Sequence, residues 1–397
     1  MFTVEIKRNK HNNKFFFDFI LLALVLGLVI FGIIMVYSAS NYSAEVNYKD
    51  PFFFMKKQII GAVLGLILMI VLSMTNYHLL FKLRYYILAV GLLCLIIVLI
   101  PGIGKSSYGA RRWINLGFFT IQASEIAKFA FVIFSASVLA KNAGKMQSFR
   151  GALPVIVVGL FMCVLIMLEP NMSITICLGL VMMIMLFIGG MKLKHFALLL
   201  IPLLICVPLL ILAEPYRLAR LSAFLNPWAS PQGEGFQLIQ SLYGLGSGGF
   251  FGLGLFSSRQ KYLFLPFAES DFIFSIIGEE LGLFGCFLLI VVYLLLIFRA
   301  IKIARNSFDR FGCYLASGIA SIIAVQVVIN IAVVTGSIPP TGLPLPFISA
   351  GSSSLIMFMA SIGILQNISA CSKKNKYSSV MASSLSVKPL SKKGISI

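Results

Sequence analysis

Asp271 and Glu269 stand at the mouth of an apolar run, in the segment RQKYLFLPFAESDFIFSIIGEELG from Arg259 to Gly282, within a chain that has only 13 carboxylates. A carboxylate at a membrane boundary is costly to desolvate, which makes it a candidate for proton transfer. The plainer reading is that Asp271 caps the helix that follows, since Asp is favoured at N-caps. Glu279 and Glu280 lie about two turns further in. They are adjacent, so at most one need face a cavity, as a proton relay or as partners of buried bases. Lys128 sits a turn inside another apolar run, with Glu125 three residues before it. That spacing lets Glu125 neutralise it, while a free lysine there would attract an anionic group. Arg111, Arg112, Arg217, Arg220, Arg259 and Lys261 are further bases outside the apolar runs. They can anchor at the interface by snorkelling or bind a phosphate or diphosphate.

These residues must be held by membrane helices. The chain is 59% hydrophobic and 11% charged, with a mean hydropathy of +0.98. A soluble domain carries about 25% charged residues. The net charge of +19 falls mostly in short clusters between apolar runs, which argues against nucleic acid as a partner and for membrane orientation and anionic lipid. The seven cysteines form no CxxC pair, and the three histidines are far apart, so neither a metal site nor a disulfide framework is indicated. Lys7, Arg8, Lys10 and Lys14 precede a run too long for a signal peptide, which predicts a retained first helix.

The fold class expected is an all-α integral membrane protein of about ten transmembrane helices. The spans fall near 15–37, 58–75, 84–101, 124–140, 151–168, 172–190, 195–213, 271–299, 311–334 and 351–370. Threading them places four basic turns (82–84, 141–150, 192–195 and 299–310), the N-terminus 1–14 and the basic tail 371–397 on one side, which the positive-inside rule assigns to the cytoplasm. The polytopic domain is then 15–370, and the candidate residues lie at the outer face. Opposite the cytoplasm the connections are 38–57, 102–123, 169–171, the long loop 214–270, and 335–350. A loop as long as 214–270 is usually functional or separately structured. Within it Phe236, Leu238, Ile239, Leu242 and Tyr243 suggest a short interfacial helix. Four prolines between Pro339 and Pro346 exclude a regular helix. Irregular backbone at membrane depth lines a cavity or is buried, so Ser349, Ser352, Ser353 and Ser354 become candidate hydroxyls of that wall.

Several segments in order resemble the SEDS family (shape, elongation, division and sporulation: FtsW, RodA and SpoVE). They are MVYSAS at 35–40, GARRWINLGFFTIQASEIAK at 109–128, FLNPW at 224–228, GFQLIQS at 235–241, GLGLFSSRQKYLFLP at 252–266, SDFIFSIIGEELG at 270–282 and PPTGLPLPFISAGSSS at 339–354. The resemblance spans the whole membrane domain and is closest to the FtsW division branch. It implies a peptidoglycan glycosyltransferase that polymerises lipid II on the outer face of the bacterial cytoplasmic (inner) membrane and releases undecaprenyl diphosphate. It implies Asp271 as the catalytic carboxylate, and it gives the bases a role at the diphosphate, Lys128 first. It also implies a class B penicillin-binding protein as partner, other divisome membrane proteins, and the division septum as location. No dedicated cofactor is implied, and a divalent cation bridging the diphosphate is compatible with the sequence. A lipid II flippase and a non-catalytic divisome scaffold are the competing readings. The chain departs from the family pattern at Phe267, at Glu269-Ser270, at Ala123 and at Ala350-Gly351-Ser352. Glu269, two residues from Asp271, is expected to raise its pKa by like-charge repulsion.

Overall fold

A computed structural model describes residues 17–100, 104–107, 110–115, 120–199, 201 and 215–385. The described chain is mostly helical: α1 (Phe19–Tyr48), α2 (Phe53–Met74), α3 (His78–Leu99), α4 (Ala123–Lys141), α5 (Phe149–Leu168), α6 (Met172–Ile188), α7 (Pro215–Leu225), α8 (Phe236–Ser247), α9 (Ile273–Arg305), α10 (Arg310–Val334) and α11 (Ser352–Leu385). Among them eight are long and apolar enough to cross a membrane, and α6 is a shorter apolar helix of 17 residues. These nine match nine of the ten expected spans. Residues 193–199 are helical, and the rest of the span expected at 195–213 lies almost wholly outside the described residues. The protein is a multi-pass membrane protein.

α4, α10 and α11 are buried over most of their length, while α2, α3 and α9 turn much of their surface outward. A helix hydrophobic all round can face either lipid or protein, so packing rather than an apolar stripe sorts them. α2 lies along α11 with Gly61, Gly65 and Gly363 at the contact, and a methyl on Gly363 would come 2.4 Å from the Met69 carbonyl oxygen. At the end away from the long loop, polar pairs tie the termini of the bundle. Asp18 caps α1 by accepting from the Leu21 N–H at 3.2 Å and pairs with Arg299 at 2.8 Å. Gln366 exchanges two hydrogen bonds with the Asp18 backbone.

Three connections differ from the sequence expectation. α1 continues to Tyr48, so most of the loop expected at 38–57 is helix. At 1.5 Å per residue its 30 residues span about 45 Å, beyond a hydrocarbon core of about 30 Å. The polar residues after Ser38 end the hydropathy signal without ending the helix. The connection 102–123 holds a small antiparallel sheet in the order β1 (Gly104–Ser107), β2 (Ala110–Asn115), β3 (Thr120–Gln122). α11 runs to Leu385, so the first fifteen residues of the segment expected as the basic tail, 371–385, are helical. A short helix stands where one was expected within 214–270, α8, packed against α9 and preceded by α7 and a 3₁₀ turn at Pro227–Ala229.

α9 is interrupted at Gly282 (φ 66°, ψ −168°), a region open essentially to glycine alone. The break frees two carbonyls and two N–H groups, which cannot be left bare at membrane depth. The long loop supplies all four partners. Leu253 N–H donates to Glu279 O and Gly254 N–H to Glu280 O, both at 3.0 Å. Leu283 N–H donates to Gly249 O at 2.9 Å and Phe284 N–H to Phe250 O at 3.0 Å.

Candidate functional site

Asp271 sits in a turn two residues before α9. Phe272 is the N-cap of that helix and makes no side-chain cap, so the expectation that Asp271 caps the helix is overturned. The turn is instead closed by the Phe267 carbonyl, which accepts from Ser270 N–H at 3.1 Å and Phe272 N–H at 3.4 Å. Phe267 itself adopts φ 56°, a left-handed conformation unusual for an aromatic residue.

The proline-rich segment before α11 clasps this turn. It is irregular and largely buried from Leu343 to Ser349, as its four prolines require. Ala350 N–H donates to Glu269 O at 2.8 Å. Ser349 Oγ donates to Ser270 O at 2.5 Å and accepts from Leu345 N–H at 2.7 Å. Asn330 on α10 donates to the Asp271 carbonyl at 2.8 Å and to the Leu343 carbonyl at 2.7 Å. Gly342 lies against the carboxylate, where a Cβ would come 3.0 Å from Asp271 Oδ2. Its N–H donates to Ser173 Oγ on α6 at 3.1 Å.

The Asp271 carboxyl is pushed up to about 7, first by burial and then by Glu269, with Arg112 and Arg220 opposing. The like-charge effect expected from Glu269 is therefore present, second to desolvation. Glu269 is itself raised by burial. Arg112 comes from β2 and donates to the main-chain carbonyls of Glu169, at 3.2 Å, and Pro170. Arg220 reaches from α7 to the Pro340 carbonyl at 3.4 Å. Two guanidiniums anchored on carbonyls from different elements thus both favour the ionised form of Asp271. A substitution Arg220→Gln removes one cation that favours the ionised form of Asp271. If Asp271 acts as a base, the acid limb of the rate profile is expected to move to higher pH, read in a pH–rate series.

Other expected members stand elsewhere. Lys128, expected to face an anionic ligand, is fully buried, 2.9 Å from Glu125 and donating to Gln326 at 2.7 Å. A lysine a turn inside a buried helix must find partners, and these are protein groups. Glu125 also accepts from Ser354 Oγ at 3.3 Å. Gln326 donates to the Pro344 carbonyl at 2.8 Å, so the Lys128 cluster supports the segment that clasps Asp271. Ser352 donates to the Lys57 carbonyl at 3.0 Å, and Ser353 is buried. Lys261 is buried and donates to the Phe256 carbonyl at 2.5 Å; burial lowers its pKa, with Glu280 and Glu279 opposing. Arg259 is exposed. The side chains of Arg111 and Arg217 lie outside the described part of the structure.

Glu279 and Glu280 are buried partners of the long loop. Glu279 accepts from Ser258 Oγ and from the N–H groups of Arg259 at 2.9 Å and Gln260 at 3.3 Å. Glu280 accepts from Ser38 Oγ of α1 at 2.6 Å and from Ser258 N–H at 3.2 Å. The hydrogen bonds match neither sequence alternative, since their donors are hydroxyls and main-chain N–H groups; the buried base Lys261 is felt by both carboxylates through charge alone. The sequence reading missed Gln326 and Asn330, although two amides four residues apart in an apolar helix were a visible signal.

The family model FTSW_RODA_SPOVE, described as cell cycle protein, matches residues 19–374. The chain belongs to this family. Among FtsW/RodA/SpoVE relatives, stage V sporulation protein E of Bacillus subtilis is 41% identical over 358 residues, covering 90% of this chain and 98% of the relative. The probable peptidoglycan glycosyltransferase FtsW of Trichlorobacter lovleyi is 42% identical over 358 residues, covering 89% and 93%. Among solved structures, a chain from a peptidoglycan synthase complex described as coordinating polymerization and crosslinking superposes with a TM-score of 0.75 at 29% identity, covering 90% and 98%. Thermus thermophilus RodA, a rod shape determining protein, superposes with a TM-score of 0.66 at 26% identity, covering 90% and 98%.

Proposed function

We propose that this chain is a peptidoglycan glycosyltransferase in which Asp271 is the catalytic base for polymerisation of lipid II. The observation that carries this is a carboxyl near pH 7, held by a clasped turn and faced by Arg112 and Arg220. A base poised near the working pH transfers protons most effectively. In the reaction, Asp271 takes the proton from the acceptor sugar hydroxyl as its oxygen bonds to the donor's anomeric carbon. The bond from that carbon to the diphosphate breaks, and undecaprenyl diphosphate leaves with the electron pair. Arg112 and Arg220 then face the developing negative charge, where fixed cations act most strongly in a dry site. FtsW relatives bear the glycosyltransferase name at up to 42% identity over most of the chain.

The end bearing Asp271 faces outward from the inner membrane and both termini are cytoplasmic, a reading supported by the sidedness of the basic connections. The 371–397 segment remains on the cytoplasmic side, with its first part extending α11. A class B penicillin-binding protein is the partner, in keeping with the similar chain solved in a synthase complex. The resemblance of MVYSAS and DFIFSIIGEELG to the division branch supports action at the septum with other divisome proteins. A flippase has less support, because Glu279 and Glu280, which could have lined a passage, are bonded to the long loop, Glu280 also to Ser38 of α1.

The test is to give the purified protein and its cognate transpeptidase lipid II in detergent, where there is no bilayer to cross. Glycan chains are the expected product. A correctly assembled complex that makes none would overturn the assignment in favour of a flippase or a scaffold.

A further inference from the structure

A cleft opens at the end of the bundle away from the long loop, between the turn that joins α4 to α5 and the segment that follows α6. It encloses about 880 Å³, and Lys145, Arg150 and Lys192 line it together with Asn142, Ser148 and His195. No carboxylate lines it, and among the described residues the side chains of these three bases have neither a hydrogen bond nor an ion pair. Cations gathered without a counter-charge repel one another, and an anion among them relieves that repulsion. The positive-inside rule accounts for bases on this side of the membrane, but it sets their side and not their arrangement.

The arrangement is built. Consecutive main-chain bonds fix the turn, with Lys145 N–H donating to Asn142 O at 2.7 Å, Ser148 N–H to Lys145 O at 3.0 Å and Gly151 N–H to Ser148 O at 3.0 Å. Met146 anchors it in the core. Gly151 lets the turn lie close on α5, since a Cβ there would come 2.2 Å from the Lys145 carbonyl oxygen. Ser148, the N-cap of α5, makes no side-chain cap, and no acidic residue stands in the first turn. The positive end of that helix is therefore left for an anion. On the other wall, His195 packs edge-on against Phe149 with ring centres 5.9 Å apart. Its Nδ1 is shielded yet has no hydrogen-bond partner among the described residues, the kind of group that a bound ion or polar molecule satisfies.

We propose that this cleft binds a phosphate group, presented by the headgroup of an anionic phospholipid. The surroundings favour a lipid over a soluble phosphate. Leu153 and Val157 on α5, and Leu198 and Ile201 beyond His195, are all exposed, and they follow the cleft into the membrane-spanning part of the chain. Acyl chains gain by lying on such a surface, and a free phosphate does not. The site stands at the opposite end of the bundle from Asp271, so it and the polymerase reading can fail separately.

The test reads binding rather than glycan. Full-length protein in a neutral detergent is titrated with phosphatidylglycerol or phosphatidylcholine, and bound lipid is counted by native mass spectrometry. Phosphatidylglycerol is expected to bind the more tightly. In the double variant Arg150→Gln with Lys192→Gln its affinity is expected to fall about 30-fold, the scale for two basic residues at an anionic surface. Both side chains are exposed, so melting without added lipid should not change. Lys145→Glu, a second variant in the same cleft, is expected to weaken binding as well. Lys302→Gln with Arg310→Gln removes two exposed charges outside the cleft and should stay within about twofold of wild type. Equal losses in the two double variants would mean diffuse attraction to surface charge and would overturn the site. Full affinity in both cleft variants would overturn it too. Inorganic phosphate at matched ionic strength separates the sources. If phosphate raises the melting temperature of wild type but not of the cleft variants, and phosphatidylglycerol shows no preference over phosphatidylcholine, the lipid source is overturned in favour of a soluble phosphate.

Discussion

Protein carrying Asp271→Asn is expected to polymerise lipid II about 10²–10⁴-fold more slowly than wild type, the range associated with a general base, and to melt no earlier. The two halves of this expectation have one cause. The folded-state pKa of Asp271 is raised from 3.8 to about 7 by burial and by Glu269. Between those values the folded protein binds more protons at this site than the unfolded chain does. Stability from this group is therefore full below the unfolded pKa and declines as pH rises through the folded one. At neutral pH the ionised carboxylate is a burden on the fold, and asparagine removes it while keeping nearly the same shape. The Asn330 bond goes to the main-chain oxygen and survives the change. Chain length on gels and a melting curve in the same detergent give both readings. A folded variant as active as wild type would remove Asp271 from the mechanism, and one that melts earlier would overturn the stability half of the expectation.

The scaffold of this site was largely legible because the bilayer leaves few choices. Backbone groups in lipid must be satisfied within helices, so apolar length alone located nine of the spans now described. The same logic recognised that Pro339–Pro346 cannot be helical and would be buried or line a cavity; the segment is irregular, and largely buried from Leu343 on. The weakness of hydropathy lies where polar residues continue a helix. Ser38 and Ser40 on α1 are buried in the bundle, Ser38 donating to Glu280 at 2.6 Å and Ser40 bonding back to the Val36 carbonyl at 2.7 Å, so the helix passes Ser38 unbroken. The three strands between α3 and α4 are too short to carry a pattern. Long-range pairing was harder to read than position. Asp271 was located by its neighbourhood, but the groups that hold it, Asn330 and Ser349, are 59 and 78 residues away in the chain (330 − 271 = 59; 349 − 271 = 78). Lys128 shows the converse, since its i−3 neighbour Glu125 was visible and proved to be its ion-pair partner.

That pair separates support from substrate contact. Lys128→Met leaves Glu125 buried without its cation, and breaking a buried pair from one side costs about 3–5 kcal/mol. The single variant is therefore expected to melt well below wild type and to lose activity with its fold. Removing both charges, as Glu125→Leu with Lys128→Met, should restore most of the stability, because replacing a buried ion pair with apolar groups of similar volume is often neutral or better. Recovery stops short where Gln326 Oε1 loses its donor and Ser354 Oγ its acceptor, about 1–3 kcal/mol for an orphaned buried group. Gln326 still holds the Pro344 carbonyl, so the segment against Asp271 keeps its position. If Lys128 acts only through that segment, polymerisation returns along with the melting temperature. A stable double variant that makes no glycan would instead put the Lys128 ammonium on the diphosphate, which would require the buried pair to open when lipid II binds.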